Sequence, residues 1–221
     1  MTDHWQTLGE EGIQFMGKMS ASISHELKNV LAIINENAGL LNDFCLMAER
    51  GMEIDPERLA RISGNIAKQV KRGDQILKNM NRFAHSTDHP LSTVDLHATL
   101  AMVVKLATRF AANRVVTLTT TPTNKPLLIT SRPFLLANLL WRCLDRSMNF
   151  VGTEKKITLS AVTKGEQTLI IFNGLSDQPI EEPAIFPSQQ DSDLLTILQC
   201  TLTTASAVGE LTLTLPQTTG N

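Results

Sequence analysis

The sequence predicts an α + α/β protein: a helical N-terminal part followed by a mixed helix-and-strand part. Two observations carry this. Of the 24 threonines, 22 lie after Ser86. Before that point the chain is rich in Lys, Arg, Glu, Met and Ile and has one proline, Pro56. Straight-chain residues suit helices, whereas threonine and valine suit strands. The expected domains are 1–86 and 93–221, joined by the polar, proline-bearing run His85–Thr93.

Two helices fit residues 10–84. In the first, Met16, Met19, Ile23, Leu27, Val30, Ile34, Leu41 and Cys45 recur at helical spacing. In the second, Leu59, Ile62, Ile66, Val70, Ile76, Met80 and Phe83 do the same. Each set is one apolar stripe of period 3.6. Between them Gly51 suits a left-handed helix end, and Asp55-Pro56 suits an N-cap with proline in the first turn. The expected result is an antiparallel hairpin. One hairpin cannot cover both stripes, so a homodimer forming a four-helix bundle is expected.

The second part reads as alternating elements. A helix fits Val94 to about Asn113, with Thr93 as its cap. Strands fit 115–120 and 127–130. A helix follows Ser131-Arg-Pro133 and runs to about Met148. A hairpin is expected at 155–162 and 167–173, turning at Lys164-Gly-Glu166. Residues 174–190 read as loop, 192–203 as helix and 210–215 as a last strand. One mixed sheet with helices on one face accommodates them.

Composition excludes several function classes. The chain has 221 residues, 20 basic and 22 acidic side chains and a net charge of −2. A general nucleic-acid binder needs a surplus of Lys and Arg, so no nucleic-acid partner is expected. No run of about 18 apolar residues occurs, so no membrane span is expected. The start, Met-Thr-Asp-His-Trp, lacks a basic stretch before an apolar one, which predicts a cytoplasmic chain rather than a secreted one. Cys45, Cys143 and Cys200 are far apart and in no metal-ligand spacing. Each reads as a small buried hydrophobe. His85 and His89 are four apart but lack a third ligand nearby. His97 reads as a helix-surface residue.

The chemistry concentrates in Met16–Leu31. His25 lies on the first predicted helix, with Ala21, Ser22, Lys28 and Asn29 three and four residues away. The apolar stripe passes beside it through Ile23 and Leu27, so its imidazole is expected to face solvent. A neutral imidazole attacks phosphorus readily and can hold a phosphoryl group as an N–P bond. Glu26 can orient the ring and take its proton. Asn29, one turn on, can position a water. Taken alone these are ordinary residues of a helix surface.

The run Ser24-His25-Glu26-Leu27-Lys28-Asn29, with Phe15, Met16 and Ile23 before it and Leu31 after it, resembles the H-box of bacterial sensor histidine kinases. The resemblance implies that His25 is the phosphoacceptor, that Glu26 assists transfer and that Asn29 supports dephosphorylation of a partner receiver. Val30 stands where that family usually has a proline that kinks the helix. Further on, Phe134–Asp145 is similar to the N-box helix of the family's ATP-binding domain, and Gly209–Pro216 to its last strand. The resemblance covers nearly the whole chain.

Yet the residues that hold nucleotide in the family are replaced. Arg142 falls where an asparagine helps to bind Mg²⁺. Magnesium wants oxygen ligands, and a guanidinium offers only donors and positive charge. Asn173 falls where an aspartate recognises adenine, and Gly174 alone follows it. After residue 174 only Gly209 and Gly220 remain, too few to cradle phosphates with close backbone N–H groups. The loop from Asp177 to Asp193 is acidic and would repel a triphosphate.

The resemblance is therefore to dimeric histidine phosphotransferases built like degenerate kinases. It implies a phosphorelay: receiver aspartyl phosphate to His25, then to a second receiver. The expected partners are response-regulator receiver domains. No cofactor is expected in this chain, and the Mg²⁺ would belong to the receiver. Ser22, Lys28, Arg61 and Lys68 are the expected docking residues, the last two on a second helix whose basic face could steer an acidic pocket. Three alternatives remain open: a pseudokinase scaffold, a receiver phosphatase working through Asn29, and an active kinase with an unusual pocket.

Overall fold

A computed structural model describes residues 2–123, 125–176, 187–205 and 209–217. The expected loop at 174–190, and the acidic stretch within it, lie mostly outside the described residues. The chain divides into two compact units, Met19–Asn81 and Met1–Lys18 with Arg82–Asn221.

Helix α1 spans Thr2–Glu49 and α2 spans Pro56–Ala84. Between them Gly51 adopts φ +75°. Met52 N–H donates to Met47 O at 3.1 Å and Gly51 N–H to Ala48 O at 2.9 Å, the pattern that closes a helix with a left-handed residue. Asp55 Oδ1 accepts from Glu57 N–H at 2.8 Å and caps α2.

The unit Met19–Asn81 is an antiparallel hairpin. The Arg58 guanidinium sits 5.8 Å from the Phe44 ring, and Val30 faces Gly73, so numbers rise along one helix as they fall along the other. Met19, Ile23, Val30, Ile62 and Ile76 are buried. The structure divides the expected stripes. Leu59, Val70, Met80 and Cys45 lie exposed, as do Leu31, Leu40, Leu46 and Leu77. Each helix thus carries more apolar surface than one neighbour covers, and Cys45 is not the buried hydrophobe expected. α1 runs unbroken through Val30.

In the other unit, a 3-10 turn at His85–Thr87 leads into β1, Ser92–Asp95, and α3, Leu96–Asn113. Here expectation and structure differ. Thr93 is a strand residue, paired with Thr130, and the α3 cap is Asp95, whose Oδ1 accepts from His97 N–H at 3.1 Å. β2 is Thr117–Thr120, β3 Leu128–Ser131 and α4 Pro133–Asn149. β4, Lys156–Lys164, and β5, Gln167–Asn173, form the expected hairpin around Gly165. α5 is Gln189–Ile197, β6 Thr201–Ala205 and β7 Glu210–Pro216.

The strands form two sheets rather than one. β1 pairs with β3, and a five-stranded sheet has the order β2-β4-β5-β7-β6. Its β2–β4 pair is parallel and the others antiparallel. The expected helix at 192–203 is also shorter than predicted, because Gln199 takes φ +54°. The β-branched run that follows is strand β6, which sequence reading missed.

Alternation explains the core. Ile157, Leu159 and Ala161 of β4, Ile170 and Phe172 of β5, and Leu211, Leu213 and Leu215 of β7 are buried, while residues between them are not. Leu100, Val103 and Ala107 of α3 and Leu136, Leu140 and Leu144 of α4 are buried as well. Cys143 and Cys200 are buried too, and burial pushes both thiols up, Cys200 to about 12. His97 is half-buried. At the start of α4, Phe134 closes a ring cluster with Phe15 and Phe83, at centroid separations of 5.6 and 6.2 Å. Phe15 meets Phe83 edge-on at 5.3 Å. This cluster is why residues from the first turns of α1 and the end of α2 belong with the second unit. No helix among the described residues is long and apolar enough to cross a membrane.

Candidate phosphoacceptor site

His25 is exposed on α1. Five residues separate it from Val30, which lies in the seam with α2, and five residues turn a helix by about 500°. The imidazole therefore leaves the helix on the side away from the seam. Asn29 is exposed one turn further on, and Lys28 is exposed within the same turn. Positions i and i+4 share a face, so His25 and Asn29 stand side by side. Glu26 is half-buried.

Ser22 does not belong to this surface. Its side chain is buried, at 1% exposure, and its hydroxyl has no hydrogen-bond partner among the described residues. The reason is helical phase. Ser22 sits three residues after Met19 and beside Ile23, both buried, so it turns inward with them. The docking role expected for Ser22 is not available in this hairpin.

Arg61 and Lys68 are exposed on α2, but the structure does not bring them to the imidazole. The pairing of Val30 with Gly73 puts His25 level with residue 78. Lys68 and Arg61 then lie about 15 and 25 Å along the axis from it, toward the connecting turn. At the level of His25 is Lys78, paired to Asp74 at 2.7 Å. Lys28 alone among the expected docking cations stands within a turn of the ring.

The second unit holds a different arrangement around Arg142. Its Nε donates to Asp191 Oδ1 and its Nη2 to Ser188 Oγ at 3.2 Å. Its Nη1 lies 3.7 Å from Glu11 Oε2. Asp191 also caps α5: its Oδ2 accepts from Ser188 N–H at 2.8 Å, while Ser188 Oγ accepts from Asp191 N–H at 3.2 Å. The Ser188-x-x-Asp191 spacing was a visible start signal for this helix. Neither the pairing of Arg142 with Asp191 nor the role of Glu11 could be read from sequence, because the three residues are far apart along the chain. Beside them is a cavity of about 460 Å³, whose lining includes Glu11, Lys18, Asn138, Trp141, Asp145 and Asp191. Arg114 holds Asp145 at 2.8 Å.

Burial raises the Glu11 carboxyl above its ordinary value. Arg142 opposes that shift, and Asp191 and Asp193 add to it. Asn173 ends β5 and donates its Nδ2 to Glu210 Oε1 at 2.9 Å. Gly174 follows at φ +105°, where a Cβ would lie 2.1 Å from Lys156 O. This glycine is required by a backbone crossing: Gly152 N–H donates to Gly174 O at 2.9 Å and Gly174 N–H to Gly209 O at 3.2 Å.

Comparison with known proteins adds solved structures alone. No protein-family model matches the sequence, and no curated protein matches it. The chain is similar to the Acinetobacter baumannii histidine kinase AdeS, at 11% identity and a TM-score of 0.48, over 89% of this chain and 98% of that one. It is similar to the catalytic domain of histidine kinase ThkA, at 12% identity and a TM-score of 0.48, over 60% of this chain and 100% of that one. It is also similar to the ATP-binding domain of PrrB from Mycobacterium tuberculosis, at 17% identity and a TM-score of 0.42, over 58% and 96%.

Proposed function

We propose that the chain is a histidine phosphotransfer protein of two-component signalling, in which His25 relays a phosphoryl group between receiver aspartates. The observation that carries this reading is the exposed His25–Asn29 pair on one face of α1. In the first step an imidazole nitrogen attacks phosphorus. The N–P bond forms as the P–O bond to the receiver aspartate breaks, and the carboxylate leaves with the electron pair. The imidazole proton passes to a nearby base, with Glu26 the adjacent carboxylate. The second step reverses the first on another receiver. Mg²⁺ would sit on the receiver.

The reading without ATP-dependent autophosphorylation rests on Arg142, whose positive guanidinium stands where the resemblance expects a metal-binding asparagine. The apolar residues left exposed on both helices support pairing with a second copy of the chain. A second reading, a receiver phosphatase, is favoured by the same exposed Asn29.

The deciding experiment offers purified phospho-receiver to the protein. Transfer should place an acid-labile, base-stable label on wild-type chain and none on His25→Gln, while labelled ATP with Mg²⁺ places none on either. Label on the His25→Gln variant would overturn the assignment of His25. Label from ATP would overturn the reading without a kinase step.

A further inference from the structure

We infer that the cavity lined by α1, α4 and α5 is a binding site for a small organic cation, an ammonium or guanidinium compound. The inference stands whether or not His25 carries phosphate. All its lining residues belong to one compact unit, Met1–Lys18 with Arg82–Asn221. Two buried groups there are short of a partner. Asn138 of α4 is 3% exposed and lines the cavity, yet its amide makes no hydrogen bond among the described residues. Glu11 Oε2 likewise meets no hydrogen-bond donor among them. Buried polar groups are nearly always hydrogen-bonded, so two such groups on one cavity leave places for a ligand.

The charges decide its sign. Glu11 and Asp191, 8% and 2% exposed, share one guanidinium, that of Arg142. Asp145 is held by Arg114, and the Arg146 guanidinium lies 4.3 Å over the Phe150 ring. Burial, Asp191 and Asp193 oppose charge on Glu11, Arg142 favours it, and the exposed Lys18 favours it least. The buried lining is therefore short of positive charge, and a carboxylate or phosphate would be repelled there. A protonated amine or guanidinium supplies both the missing charge and the missing donors. Trp141 also lines the cavity, and an indole ring attracts cations. A volume of about 460 Å³ suits a small molecule. Glu10, Gln14 and Asn149 of the lining are exposed, so a ligand can enter from solvent.

Isothermal titration of the full chain tests this, with agmatine and spermidine as the cations and inorganic phosphate as the anion. At least one amine should bind saturably, and phosphate should not bind. Asn138→Leu and Glu11→Gln should each weaken that binding roughly tenfold, the loss expected for a charge-assisted hydrogen bond. Glu154→Gln, which removes an exposed carboxylate outside the lining, should leave it unchanged. Circular dichroism checks the fold of each variant, and should Asn138→Leu fail to fold, Glu11→Gln decides. No saturable binding of either amine, wild-type affinity in the folded cavity variants, an equal loss in Glu154→Gln, or tighter binding of phosphate would overturn the proposal.

Discussion

Val30 packs onto the backbone of α2 at Gly73, where an added Cβ would lie 3.4 Å from Val30 Cγ1. That is ordinary contact, and the glycine sits in a helix interior. Gly73→Ala should therefore stabilise the hairpin by about 0.5–1 kcal/mol through the lower cost of ordering alanine. Gly73→Leu should lose stability by wedging the helices apart. Thermal unfolding followed by circular dichroism separates the two.

Gly174 is the opposite case. Its φ of +105° and the 2.1 Å approach to Lys156 O leave no room for a methyl group. Gly174→Ala should cost more than about 3 kcal/mol, combining backbone strain with a clash against main chain. Urea denaturation provides the number, and an unchanged midpoint would refute the backbone crossing.

Asn29 separates the two chemistries proposed for the His25 face. If its amide positions water, Asn29→Ala should leave label arriving on His25 and slow the release of inorganic phosphate, seen as total protein-bound label that persists. Time courses of both phosphoproteins on one gel show this. Equal slowing of both steps would make Asn29 a docking residue instead.

Lys28 should matter differently from Arg61 and Lys68. Reversing Lys28 to Glu should lower transfer most, since it stands within a turn of His25. Reversing Arg61 or Lys68 should act through association, with an effect that shrinks as salt rises, because exposed charges are screened beyond about 10 Å at 0.1 M. Initial transfer rates at several ionic strengths distinguish contact from steering.

Glu11 gives the lobe a pH dependence of known sign. Its carboxyl is raised from 4.5, chiefly by burial, so the folded chain binds that proton more tightly than the unfolded one. From the ordinary value upward through the raised one, stability must fall as pH rises. Subtracting the Glu11→Gln curve from the wild-type curve of urea midpoints against pH should isolate that slope.

Much of the fold was legible because its signals are local. Asp55-Pro56 and Gly51 announced the hairpin turn, and Gly165 the β4–β5 hairpin. What escaped was set by competition between local signals. Thr93 can cap a helix or pair in a strand, and the pairing with Thr130 decided it. Leu198 and Cys200 continue the helical period of α5, yet the chain turns at Gln199. At the site, the phase of His25 relative to Ile23 was readable. Ser22 failed because the serines on either side of it suggested a polar surface, while its helical phase turns it inward together with Met19 and Ile23. The contact of Glu11 with Arg142 spans most of the chain and had no local signature.

Leu31, Val70 and Leu77 are 63%, 55% and 47% exposed, and the pairing proposed for this hairpin would tie its folding to dosage. Oily side chains bared to water cost a lone molecule, and whatever covers them returns that cost by mass action. The melting point of this hairpin should therefore climb with the amount of covering surface in the tube, and dilution alone should act as a mild denaturant.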